Sequence, residues 1–129
     1  MPLNKKQQKI AVIGALADDK NSPLGSWRIG SDDNTAVSVL EGLKKYTSAI
    51  TYAKGADLVI GKTDCINEVK INETDTSGFK AAVQLARNSD MVIMVLGEHG
   101  FQSGEGRSRT KLGLPGVQQQ LLEAVYAVN

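Results

Sequence analysis

The sequence predicts an α/β fold, an open and mainly parallel sheet in βαβαβα order with helices on both faces. Three short apolar runs, "KIAVIGA" (9–15), "SAITYAKG" (48–55) and "MVIMVLG" (91–97), alternate with stretches whose apolar residues recur at helical spacing. Strands alternating with amphipathic helices call for parallel pairing through right-handed crossovers.

Residues 9–15 form a β-branched run ending at Gly14, as a buried parallel strand does. A polar loop, "LADDKNSPLGSWRIGSDDN", follows. Asn34 or Asp33 is placed to cap the next helix, whose apolar face recurs at Val37, Leu40 and Leu43. Residues 48–55 make the second strand. Residues 56–75 show no period, which leaves open a short strand at 57–60 or an exposed excursion. Thr76 or Ser77 then caps a helix that carries Phe79, Ala82, Val83 and Ala86 inward.

The run 91–97 is the strongest strand signal, and its continuous apolarity predicts cover on both faces. Pro115 suits the first turn of a third helix, with Val117, Leu121, Ala124, Val125 and Val128 on one side. The first strand is expected at the centre, with one helix on the face opposite the other two. This is a flavodoxin-like α/β sandwich. The pattern asks for a fourth strand after the last helix, so residues 1–129 read as a truncated part of a larger domain. The apolar edge beside the third strand is then open to self-association.

Length and composition fit one ordinary domain: 129 residues, 41% hydrophobic and 22% charged. A net charge of +1 argues against a dedicated nucleic-acid binder. The apolar run at 91–96 is far short of the ~20 residues of a membrane span, so no membrane contact is expected. "MPLNKKQQKI" lacks the apolar core of a secretory signal. Cys65 is the only cysteine, which excludes an intrachain disulfide and a Cys-rich metal site.

Ionisable chemistry concentrates in "LGEHGFQSGEGRSRTKLGLPG" (96–116), which leaves the carboxyl end of the third strand. Open α/β sheets bind ligands there. Glu105, flanked by Gly104 and Gly106, is the residue a substrate could approach most closely; a solvated carboxylate paired with Arg107 or Arg109 is the plain alternative. His99 is the single histidine: it offers a base or a metal ligand, although a lone histidine argues against a zinc site, which collects three or four ligands, and the plain alternative is a loop histidine exposed or bonded to backbone. Trp27 in "LGSWRIG" is a stacking platform, an interface anchor, or a tryptophan folded over its own core. Gly14 is followed by Ala15, Leu16 and Ala17, so the G-x-G-x-x-G fingerprint is missing, and no phosphate-loop motif occurs. From fold alone, the alternative function is a non-catalytic domain holding a nucleotide or an anion at its strand ends.

The segments "KIAVIGALADD", "LGSW", "VLEGLK", "YAKG", "LARNSDMVIMVLGE" and "SGEGRSRTKLGLPGVQQQLLEAV" together resemble the second domain of glycoside hydrolase family 3, above all bacterial β-glucosidases of the periplasmic type. The resemblance implies a parent enzyme, periplasmic or extracellular, whose (β/α)8 barrel is absent from these residues and carries the nucleophile. It implies that Glu105 is the general acid/base of a retaining, exo-acting β-glucosidase. Trp27, His99 and Arg107 are candidate substrate contacts, and Glu98 a supporting residue. Retaining hydrolysis needs two carboxyl groups roughly 5–5.5 Å apart, so the second must come from the barrel. The expected partners are a β-glucoside or oligosaccharide and that barrel, with no cofactor and no metal.

Overall fold

The computed structural model describes residues 8–28 and 34–129. Three strands form one sheet: β1 (Ile10–Ile13), β2 (Ile50–Ala53) and β3 (Met91–Met94). The order is β2-β1-β3, and both pairings are parallel, with Ile10 beside Ile50 on one side and Met91 on the other. Three helices accompany them: α1 (Val39–Lys44), α2 (Phe79–Arg87) and α3 (Gln118–Tyr126). Two 3-10 turns, Ala15–Asp18 and Ser22–Leu24, fill the loop after β1.

Period-two alternation along β1 divides the core in two. Ala11 and Ile13 face Ala82 and Ala86 of α2 and Leu121 and Val125 of α3. Ile10 and Val12 face the other way, onto Ala17 and Leu40. One helix therefore covers one face and two cover the other, as the sequence predicts. All four β1 residues are buried. β3, the stronger apolar run, is only half-buried because it stands at the edge, although its side chains feed both layers.

The helix starts differ from expectation. Ser38, not Asn34, caps α1: its hydroxyl accepts from Glu41 N–H at 3.1 Å, while Ser38 N–H donates to the Glu41 carboxylate at 3.1 Å. This reciprocal capping box fixes the start one residue after the serine and leaves Val37 outside the helix and exposed. The other proposed cap, Asp33, lies outside the described residues. Gly78 is the N-cap of α2 with no side-chain cap; Thr76 contributes only its carbonyl, to Phe79 N–H. Pro115 precedes α3 rather than entering it.

Residues 56–75 are the excursion, not a regular strand. A single antiparallel bridge joins Val59 to Ile71. Order comes instead from Asn72, which is 2% exposed. Its amide donates to the carbonyls of Asp57 and Asp75, and its Oδ1 accepts from Thr74 and Asp75 N–H. The Asn72 carbonyl accepts from Val117 N–H at 3.2 Å, tying the excursion to the foot of α3.

Candidate functional site

The carboxyl ends of β1 and β3 lie side by side, so the loops that follow them meet. Gly14 stands where they touch. A Cβ there would lie 2.1 Å from the Val95 carbonyl oxygen, so the glycine serves the approach of two strand ends. That accounts for the residue that suggested a nucleotide turn.

The loop after β3 is closed at its base by Gln118 of α3. Its Nε2 donates to the carbonyls of Gly97 (2.8 Å) and Pro115 (2.9 Å), and its Oε1 accepts from Gly97 N–H (3.0 Å). Further along, the loop is fastened to the one after β1. Gly100 N–H donates to Ser22 Oγ at 3.1 Å, and the Arg28 guanidinium lies 3.8 Å over the Phe101 ring. Arg28 is 6% exposed and also donates to the Asn21 carbonyl. A cation held over an aromatic face away from water is a strong fastener.

Beneath this junction, the Asp19 carboxylate accepts from the N–H groups of Asn21 (2.7 Å) and Ser22 (2.9 Å). Burial pushes its pKa up, but the hydrogen bonds from the Ser22 side chain, Ser22 N–H and Asn21 N–H hold it below the usual 3.8.

Glu105 stands at the tip of a β-turn. Arg107 N–H donates to the Gly104 carbonyl at 3.1 Å, which places Glu105 and Gly106 at the two central positions. Gly106 has φ +72°, the value a type II turn demands at its third residue. Gly104 is needed for space: a Cβ would lie 2.7 Å from Ser26 Oγ. The two glycines thus turn Glu105 outward and seat its turn against the neighbour of Trp27.

The result is an open cleft of about 250 Å³ lined by Ser26, Trp27, Cys65, Phe101, Glu105 and Arg107, among others. Glu105 is exposed and has no hydrogen bond or ion pair among the described residues. Trp27 is 71% exposed, which excludes a tryptophan folded over its own core. Arg109 pairs with Glu98, and Arg107 donates to backbone carbonyls, so neither arginine neutralises Glu105. A larger cleft of about 680 Å³ lies on the far side of Phe101 and Arg107, between residues 68–73 and 106–116. Glu105 does not line it.

Three of the four candidate residues, Glu105, Trp27 and Arg107, therefore share one cleft. His99 does not line it. It is 8% exposed, tilted against Phe101 with ring centroids 5.6 Å apart, and its Nδ1 accepts from Phe101 N–H at 3.2 Å. Its place is in the support of the loop. Cys65 and Phe101 are cleft residues that sequence reading missed. Cys65 lies in the aperiodic excursion, and Phe101 carries no motif.

Comparison with known proteins gives one family. The model described as "Glycosyl hydrolase family 3 C-terminal domain" matches residues 1–129. A "Periplasmic beta-glucosidase" from Salmonella typhimurium is 36% identical over 100% of this chain and 18% of its own length. A "Beta-xylosidase" from Formosa agariphila is 35% identical over 98% of this chain and 17% of its own. Among solved structures, a β-glucosidase involved in saponin metabolism from intestinal bacteria superposes with a TM-score of 0.78 and 28% identity, covering 99% of this chain and 20% of that one. The chain thus spans about a fifth of each of these relatives.

Proposed function

Because the chain belongs to the glycosyl hydrolase family 3 C-terminal domains, we propose that it serves as the second domain of a retaining, exo-acting β-glucosidase and that Glu105 is the general acid/base. The supporting observation is the placement of Glu105: a carboxylate on a turn tip with no partner among the described residues, in one cleft with an exposed tryptophan. A glycosidic oxygen seated there would take its proton from Glu105 as the bond to the sugar breaks. Glu105 would then withdraw a proton from the water that releases the glycosyl-enzyme. The nucleophile is supplied by a barrel domain of the same enzyme, a periplasmic or extracellular protein. Trp27 gives the sugar an apolar face to stack on.

The sugar is a terminal β-linked glucose. A xylosyl substrate is the second reading, favoured by the 35% identical relative named as a β-xylosidase. In the enzyme that carries this domain, Glu105→Ala tests the assignment with two glucosides. Hydrolysis of a disaccharide, whose leaving oxygen is basic, should fall about 10²–10⁴-fold, while cleavage of an activated aryl glucoside survives far better. Equal losses on both substrates would contradict it. The wild-type enzyme on aryl glucoside and aryl xyloside decides the sugar.

A further inference from the structure

We propose that Arg107 is a positioning residue: its guanidinium latches the turn bearing Glu105 to the 64–67 turn and so sets where the acid/base stands. The inference rests on the assignment of Glu105 above. Arg107 Nη2 donates to three consecutive carbonyls, Cys65 (3.2 Å), Ile66 (3.4 Å) and Asn67 (2.8 Å), and Nε donates to the Phe101 carbonyl at 3.1 Å. The three acceptors lie about forty residues earlier in the chain, on the excursion that no regular element supports.

Their convergence has a local cause. The Asp64 carboxylate accepts from Ile66 N–H (2.8 Å), Asn67 N–H (2.7 Å) and Asn67 Nδ2 (2.8 Å), which folds the 64–67 turn around one side chain. The amides turn toward Asp64, and the carbonyls are left for Arg107. The side-chain amide and N–H of Asn67, the N–H of Ile66 and the charge of Arg107 together hold Asp64 below the usual carboxylate range.

A planar, permanently charged fork suits this work, because it spans several acceptors at once and each bond is charge-assisted. A lysine offers one point charge. Arg107 is also the fourth residue of the turn that carries Glu105, so movement of its guanidinium is passed on within a single turn. With the latch closed, Cys65 and Glu105 line the same cleft, with Arg107 between it and the larger one. Arg107 is thus engaged with protein carbonyls, not reserved for the sugar.

The test uses the full-length enzyme and four variants, Arg107→Ala, Arg107→Lys, Asp64→Asn and Glu105→Ala, each on the disaccharide and on the activated aryl glucoside. A displacement of about 1 Å at the acid costs on the order of 10²-fold. Arg107→Ala should therefore slow the disaccharide about 10- to 100-fold more than the aryl substrate, mainly in kcat. Arg107→Lys should lose less, and Asp64→Asn should shift the same ratio in the same direction. Combined with Arg107→Ala, Asp64→Asn should add little, since both act through one contact. A rise in KM with an unchanged substrate ratio would make Arg107 a sugar contact and overturn the inference. Equal losses on both substrates in Arg107→Ala and Arg107→Lys would leave it a general stabiliser and also overturn it. If Glu105→Ala itself showed no leaving-group dependence, the assignment of Glu105 would fall, and this inference with it.

Discussion

Gln118 and Gly97 exchange two hydrogen bonds across the base of the loop that carries Glu105: Nε2 donates to the Gly97 carbonyl at 2.8 Å, and Gly97 N–H donates to Oε1 at 3.0 Å. The glutamine is 7% exposed, so water cannot readily replace either bond. Gln118→Leu keeps the volume and removes the partners. An unpaired buried polar group costs about 1–3 kcal/mol, so unfolding in urea should show a loss of about 2–4 kcal/mol. A change below about 0.5 kcal/mol, the range of ordinary surface substitutions, would show that the loop base is held by other contacts.

Asp19 makes the loop junction acid-sensitive. Its folded pKa lies below the unfolded value of 3.8, because the Ser22 and Asn21 hydrogen bonds outweigh its burial. The group therefore favours folding fully above pH 3.8, and that contribution is lost as the pH falls through the folded value. Asp19→Asn should lower the thermal midpoint at pH 6, and the deficit should shrink as the pH falls through the folded value, where the wild-type carboxyl is itself protonated. A deficit that persisted unchanged at low pH would place the effect in packing rather than charge.

Trp27 is exposed in the cleft, so stability and sugar contact can be separated there. Trp27→Ala should leave unfolding of the domain within about 0.5 kcal/mol of wild type. In the full enzyme it should weaken substrate binding by about 0.5–1.5 kcal/mol, roughly twofold to tenfold in KM. A large stability loss would mean that the ring covers core. An unchanged KM would leave Trp27 at the seam between domains.

Much of this was legible in the sequence, for identifiable reasons. The runs 10–13, 50–53 and 91–94 announce strands because apolar period and length agree, and alternation with helices places the first run at the centre. That central placement also brings the loops bearing Trp27 and Glu105 to neighbouring strand ends. The α1 cap was written in "SVLE", a serine three residues ahead of a glutamate, but the Asp/Asn cluster upstream is an equally good signal without its partner. Residues 56–75 stayed opaque because their order resides in Asn72 and Asp64, whose side chains bind backbone groups that no periodicity reveals. His99 was drawn to the site by its chemistry. Its burial behind Phe101 depends on contacts with the loop after β1, some 70 to 80 residues away in sequence.

The 129-residue chain by itself should release no nitrophenol from an aryl glucoside, even at high protein concentration. Retention requires two carboxyl groups, and only Glu105 among the described acidic residues lines the cleft with Trp27. Turnover near the ordinary enzymatic value of about 10 per second would mean that the chain holds its own nucleophile.

The most direct measurement is azide rescue of Glu105→Ala in the full-length enzyme, followed by identification of the product. Without a base to activate water, the covalent glycosyl-enzyme should accumulate on an activated aryl glucoside. Azide needs no base and can occupy the space the carboxylate vacates. Turnover should rise with azide concentration and yield a β-glucosyl azide of retained configuration, whereas Glu98→Gln, which breaks only the pair with Arg109, should not respond. If azide failed to accelerate Glu105→Ala, or if no glycosyl azide formed, Glu105 would not be the acid/base.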